Sequence, residues 1–167
     1  GGEVGAIRAA QLGLKVALVE KNPFLGGTCL NWGCIPTKAL LEAARNFDKF
    51  KNAEQLGFDI GELSFDWQRI QGRKTKIVEQ QRKGLDFLMK KNKIEVFRGW
   101  GSVMGRNQVQ VSSDQGKKEV IQTKNILIAT GSKVRELPFA KPNNQNILSS
   151  DDILFIDHIP ESLCVVG

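Results

Sequence analysis

Residues 2–20, GEVGAIRAAQLGLKVALVE, decide the fold class. The opening is rich in alanine and runs up to Gly13, a helix stop signal, so residues 2–12 read as a helix. Residues 16–20, VALVE, read as a short buried strand that ends on the carboxylate of Glu20. A glycine-rich helix start, then a strand, then an acid about 20 positions on is the second half of a dinucleotide-binding βαβ unit. On that reading Gly2 is the third glycine of the fingerprint, where helix and strand pack closely. The first strand and the first two glycines would precede Gly1. Half a motif does not settle the matter alone, and the neighbouring segments have to carry the rest.

Working outward, residues 36–50 read as a helix with Pro36 in its first turn. Residues 52–63 are a polar loop containing Gly57 and Gly61. Residues 65–91 read as one long amphipathic helix, with Trp67, Ile70, Ile77, Leu85 and Leu88 on its inner face and Gly72 and Gly84 as its weak points. Three short strands follow, at residues 95–100, 108–112 and 118–123. Turn-rich MGRN and SDQG separate them, as in a meander. Residues 125–129, NILIA, are a continuous apolar run, which suits a central parallel strand. Residues 133–150 are polar and proline-containing and read as a connection, and residues 163–166 read as the start of another buried strand. The expected class is α/β, a parallel sheet flanked by helices with a three-stranded β-meander added.

Length and composition place the chain among ordinary globular domains: 167 residues, 41% hydrophobic and 25% charged. No apolar run reaches the roughly 18 residues of a membrane span, and the N-terminus lacks the basic and apolar regions of a signal peptide. The chain starts without Met and stops inside the apolar run LCVVG, so both ends read as cut from a longer protein. The net charge is +6, much of it within residues 69–93 as RKTK, RK and KKNK on a helical pattern. With no nucleic-acid-binding motif beside it, this charge reads as a solvated helix face, and no nucleic-acid partner is expected.

The chemistry concentrates in residues 26–41, GGTCLNWGCIPTKALL, which hold two of the three cysteines. Residues five apart in a regular helix point about 140° away from each other, too far for a disulfide. If Cys29 and Cys34 bond, this stretch cannot be ideal helix. Gly26, Gly27 and Gly33 supply the freedom to bend, and Pro36 disfavours helical geometry at Ile35. Lys38 lies one helical turn after Cys34, and a nearby ammonium and a helix N-terminus both favour thiolate. Zinc is disfavoured, because the only further soft ligands are the remote Cys164 and the single His158. The spacing is not the Cys-x-x-Cys of thioredoxin-like sites. A redox couple and a short structural disulfide both remain. Cys164, in an apolar run, reads as a core residue, and His158, beside Pro160 in FIDHIP, as a surface or turn residue.

The same residues resemble a known family. GGTCLNWGCIPTKALL resembles the redox-active segment of the flavin-dependent pyridine nucleotide–disulfide oxidoreductases, and around the cysteines it looks most like the branch that oxidises dihydrolipoamide. GAIRAAQLGLKVALVEK resembles that branch's opening, with Gly5 where alanine is usual. ILIATGS resembles the family's second flavin-contacting strand and turn, and LCVVG the first strand of its NAD domain. Trp32, between the cysteines, stands where the family more often has Val or Arg.

The resemblance implies residues 1–150 as a partial FAD-binding domain carrying the redox disulfide, with residues 151–167 leading into the NAD-binding domain. It implies FAD as cofactor, bound by Gly1, Gly2, Glu20, Lys21, Gly26, Gly27, Thr28, Cys29, Lys38, Gly101, Thr130, Gly131 and Ser132. Glu20 would take the adenosine ribose, Gly1 and Gly2 would face the pyrophosphate, Gly101 the adenine side, and Lys38 the reduced ring. Cys29 and Cys34 would be the catalytic pair, Cys29 exchanging with substrate and Cys34 meeting the flavin. The implied reaction passes electrons from dihydrolipoamide, carried on a lipoyl domain of a 2-oxo acid dehydrogenase complex, to NAD⁺. A glutathione- or mercuric-ion-type reductase is the alternative, with the same cysteine spacing but different surroundings. The resemblance also implies a homodimer, located in the cytoplasm or the mitochondrial matrix, with its acid/base pair outside this chain.

Overall fold

The structure is a computed structural model and describes residues 1–166. It divides into two compact units. Unit 1 comprises residues 1–28 and 80–132, and unit 2 comprises residues 29–79 and those from Lys133 on.

Unit 1 begins with helix α1, Gly2–Gln11. The helix ends as its sequence requires. Gly13 adopts φ +86, its N–H bonds to the Ala10 carbonyl, and the Leu14 N–H reaches back to Ala9. This paired closure satisfies the last carbonyls and needs a residue tolerant of positive φ at Gly13. Strand β1, Ala17–Glu20, follows. Beyond the long helix of residues 67–91 comes β2, Glu95–Arg98, which pairs in parallel with β1 so that Val19 faces Phe97 and Glu20 faces Arg98. The core beneath this pair consists of Ala6, Leu25, Met89 and Ile94, with Ile7, Ala10, Val16, Leu18, Leu85 and Val96 against it. Burying such side chains stabilises by about 1.5–3 kcal/mol each.

The strand expected over residues 95–100 ends at Arg98, and a further strand not expected from the sequence begins at Trp100. Gly99 separates the two with φ +147, and a Cβ there would lie 2.5 Å from the Ser112 carbonyl oxygen. The chain thus leaves the parallel pair and enters an antiparallel meander of β3, Trp100–Gly105, β4, Gln108–Ser112, and β5, Lys118–Gln122. The second and third strands of the meander stand where expected, whereas its first strand is residues 100–105 rather than 95–100 and takes in Met104 and Gly105 of MGRN.

Residues 125–129 are not a strand: Leu127 is 74% exposed and Ile128 65%. An extended segment joins a sheet only when a neighbouring backbone offers hydrogen bonds. Among the described residues none is so placed, although the segment packs on α1. A Cβ at Gly5 would lie 3.1 Å from Leu127 Cδ2, and one at Gly2 would lie 3.4 Å from Ala129 Cβ.

Two helices cross from one unit's residues into the other's: α2, Gly27–Trp32, and α4, Trp67–Lys91. In unit 2, α3 spans Cys34–Lys51. It starts two residues before Pro36, which sits fully buried in the first turn, where a missing N–H forfeits no intrahelical bond. Phe47 packs edge-on against Phe65, with ring centroids 5.4 Å apart. The first half of α4 is stitched to the segment before residue 158. Trp67 Nε1 and Gln71 Nε2 each donate to the Ile156 carbonyl at 3.2 Å, and Lys74 Nζ donates to Leu154 at 2.7 Å.

Three expectations change here. Trp67, Ile70, Ile77 and Leu85 lie on the partly buried face of α4 as expected, whereas Leu88 is exposed and Val78 and Met89 are the buried apolar residues of that face. Lys74, within the basic run read as solvated, is buried, its ammonium over the Phe155 ring at 4.2 Å. Residues 163–166 form no strand and Cys164 is exposed rather than core, since no described backbone pairs with this apolar run. His158 is exposed, as expected.

Candidate active site

Unit 1 gathers several expected residues at the C-terminal end of its parallel pair, the place where open α/β sheets bind ligands. Glu20 ends β1 there. Its Oε1 accepts the Asn22 N–H at 2.8 Å and the Asn22 side-chain amide at 3.0 Å. Arg98, opposite Glu20 in register, donates from Nη1 to the Asn22 carbonyl at 3.0 Å. The carboxylate is therefore held through one oxygen, and no described residue bonds to Oε2. Lys21, the next residue, places Nζ 4.6 Å from the centroid of Trp100, which opens β3 just past Arg98.

The glycine positions have separate reasons. Gly2 permits α1 to approach Ala129 and Leu18, the close helix packing asked of a third fingerprint glycine. Gly26 and Gly27 adopt φ +104 and +57, which a side chain would strain. The Gly26 N–H donates to Glu3 Oε1 at 2.8 Å, so the loop is tied to the first turn of α1. Behind the loop, the Arg82 guanidinium stacks over Phe24 at 3.7 Å. Gly101 is small because a Cβ would lie 3.1 Å from Val19 Cγ1, so packing of β3 on β1 accounts for it. Gly131 adopts φ +71, flanked by exposed Thr130 and Ser132. Gly1 has open space where a side chain would go, and Thr28 is exposed in the first turn of α2.

Unit 2 carries the cysteine pair. Cys29 lies on α2 and Cys34 is the first residue of α3. Between them Gly33, at φ −140 and ψ −115, breaks the helix. That break removes the geometric objection of a continuous helix and leaves the two thiols near enough for Cys34 to act on the Cys29 proton. Both are free and exposed. The bond to the Cys34 thiol, then burial, then the charge of Cys34 raise the Cys29 thiol above its ordinary pKa, while the Cys34 N–H and the Lys38 ammonium act in the opposite direction. Two adjacent thiols can lose two electrons and two protons to form one S–S bond, and a thiolate can reopen that bond by attack on either sulfur.

Glu3, Asn22, Arg98 and Trp100 are absent from the residues singled out by sequence. Asn22 alone had a local signal, an amide two residues past the strand-ending acid. The others act across 23 to 79 positions of chain and leave no spacing to read. No helix among the described residues is long and apolar enough to cross a membrane.

Residues 1–167 match the family described as pyridine nucleotide-disulphide oxidoreductase. The dihydrolipoyl dehydrogenase of Chlorobaculum parvum is 42% identical over 167 residues, covering 100% of this chain and 35% of that protein. Among solved structures, LpdA from Mycobacterium tuberculosis superimposes with a TM-score of 0.83 at 19% identity, over 96% of this chain and 35% of that one. The HOCl-induced flavoprotein disulfide reductase RclA from Escherichia coli gives a TM-score of 0.75 at 25% identity, over 95% of this chain and 32% of that one. The chain spans about a third of the length of the curated relatives it matches.

Proposed function

Because the chain belongs to the pyridine nucleotide-disulphide oxidoreductase family, we propose that the full-length protein is a flavin-dependent disulfide oxidoreductase that oxidises dihydrolipoamide to lipoamide. The observation that carries this reading is the Gly33 break, which places Cys29 on one helix and Cys34 at the start of the next, both exposed and with Lys38 one turn on. A structural clamp would need neither two exposed sulfurs nor a lysine one turn away.

In its oxidised form the pair is a disulfide. A thiolate of dihydrolipoamide attacks Cys29, forming a mixed disulfide and releasing Cys34 as thiolate. The second substrate thiol displaces Cys29, closing lipoamide and leaving both protein sulfurs reduced. Two electrons have then entered the pair. The Cys34 N–H and the Lys38 ammonium favour the Cys29 anion that must leave, because both lower its pKa.

The residues of unit 1 fit FAD. Among the described residues Glu20 leaves one carboxylate oxygen for a ribose diol, Gly2 permits the close helix packing of a dinucleotide fold, and Gly26 and Gly27 hold a glycine-only backbone path. Gly1, Lys21, Thr28, Gly101, Thr130, Gly131 and Ser132 complete the contacts proposed in this unit, and Cys29 and Lys38 are the contacts proposed from unit 2. When bound, FAD would relay the two electrons from the dithiol to NAD⁺. NAD⁺ is assigned to the part of the full-length protein outside this chain, beyond residues 1–150 as FAD domain and 151–167 as connection. A homodimer serving a 2-oxo acid dehydrogenase complex through its lipoyl domains, in the cytoplasm or mitochondrial matrix, completes the proposal. The chain by itself is expected to be inactive.

Anaerobic titration of the full-length protein with dihydrolipoamide tests the reading. A long-wavelength flavin band developing at two electrons per subunit, and abolished by blocking thiols, is the expected result. Direct bleaching of the flavin, unaffected by thiol blocking, would contradict it.

A further inference from the structure

We propose that Glu3 is a positioning residue of the dinucleotide site, whose carboxylate holds the Gly26–Gly27 loop in its cofactor-ready shape. The proposal rests on the flavin reading above. The Gly26 N–H donates to Glu3 Oε1 at 2.8 Å across 23 positions of chain. The Glu3 side chain is only 15% exposed. A hydrogen bond to an ionised acceptor in such a place is about twice as strong as a neutral one.

The loop needs such a tie. Gly26 and Gly27 stand at φ +104 and +57, conformations that only glycine reaches cheaply. Glycine is also the residue with most backbone freedom to lose, so an untethered Gly-Gly pair samples many shapes. On one side the loop is anchored by Leu25, 2% exposed and clustered with Ala6 of α1. On the other side Gly27 opens α2, which carries Cys29 two residues on. The Glu3 bond lies between these anchors and ties the same loop to the same helix.

The identity of the residue supports the inference. A helix N-terminus attracts anions, and an acid in the first turn would ordinarily compete there with an incoming phosphate. Here one oxygen of that acid, Oε1, accepts the Gly26 amide at 2.8 Å, and the other, Oε2, lies 3.9 Å from the Gly1 nitrogen.

The test uses full-length protein with Glu3→Ala and Glu3→Gln. The glutamine keeps an oxygen that can accept the Gly26 N–H and removes the charge. Two readouts are taken: the FAD dissociation constant of the apoprotein, and amide hydrogen exchange over residues 25–28. Glu3→Ala is expected to weaken FAD binding about tenfold to hundredfold and to speed exchange in the loop. Glu3→Gln is expected to stay within about threefold of wild type on both. Wild-type affinity in Glu3→Ala overturns the proposal, even if exchange rises, because the bond is then structural only. Equal loss in both variants with loop exchange unchanged also overturns it, since charge and not the tether would be acting. If the wild-type protein takes up no FAD, the flavin reading itself fails and the positioning role falls with it, whatever the exchange data show.

Discussion

Lys74 and Leu154 are joined by a hydrogen bond of 2.7 Å, from a lysine ammonium only 2% exposed to a main-chain carbonyl oxygen. Burial lowers the lysine's pKa below its ordinary 10.5. The folded state therefore releases this proton before the unfolded state does. Stability rises with pH wherever the unfolded state binds more protons. The Lys74 contribution should thus climb as pH rises through the depressed folded-state pKa toward 10.5, and be weakest below it. Urea unfolding of wild type and Lys74→Met across that range checks this. The stability difference should shift toward wild type with rising pH, and a flat difference would contradict it.

Gly99→Ala should destabilise unit 1 on the order of 3 kcal/mol. The new Cβ would lie 2.5 Å from the Ser112 carbonyl oxygen at φ +147, so backbone has to move and β2 or β3 has to shift. Gly105→Ala, with nothing within 4 Å, should cost well under half as much in the same urea unfolding experiment.

Much of this fold could be read before any coordinate. The Gly13 stop, the strand VALVE and the turn SDQG each carry a local cause and stand where expected, and the turn expected at MGRN narrows to Arg106 and Asn107. The Gly99 break could not be read, because EVFRGW is a plausible continuous strand until the Ser112 carbonyl is known to face it. NILIA and LCVV were read as strands from apolarity alone. Apolarity reports a preference for burial, whereas strand formation needs a partner backbone, and none lies beside either run among the described residues. The break between the two cysteines was legible from Gly33. Glu3, Asn22 and Arg98 were not, since a single hydrogen bond between distant positions has no period.

Glu20→Ala should weaken FAD binding by the full-length apoprotein about tenfold to hundredfold, the worth of hydrogen bonds to a charged group. Binding of flavin mononucleotide, which lacks the adenosine ribose, should change by less than about twofold. Equal losses for both flavins would remove the ribose assignment. Asn22→Ala should give a smaller loss of the same selectivity, because the carboxylate loses its side-chain amide donor and keeps the main-chain one.

Cys34→Ala should accelerate alkylation of Cys29 at pH 8 in the reduced protein. The hydrogen bond to the Cys34 thiol is the largest cause raising the Cys29 pKa, and its removal enlarges the thiolate fraction. Lys38→Met should slow the same reaction, since the ammonium acts in the lowering direction. Mass-spectrometric rates for the Cys29 peptide decide both.

The central claim is that Cys29 and Cys34 act as one two-electron couple. The most direct measurement equilibrates full-length protein anaerobically with graded dihydrolipoamide-to-lipoamide ratios, then traps and maps the thiols. Cys29 and Cys34 should become alkylatable together along a single two-electron curve. Independent titration of the two cysteines, or no response of either to the ratio, would contradict the account.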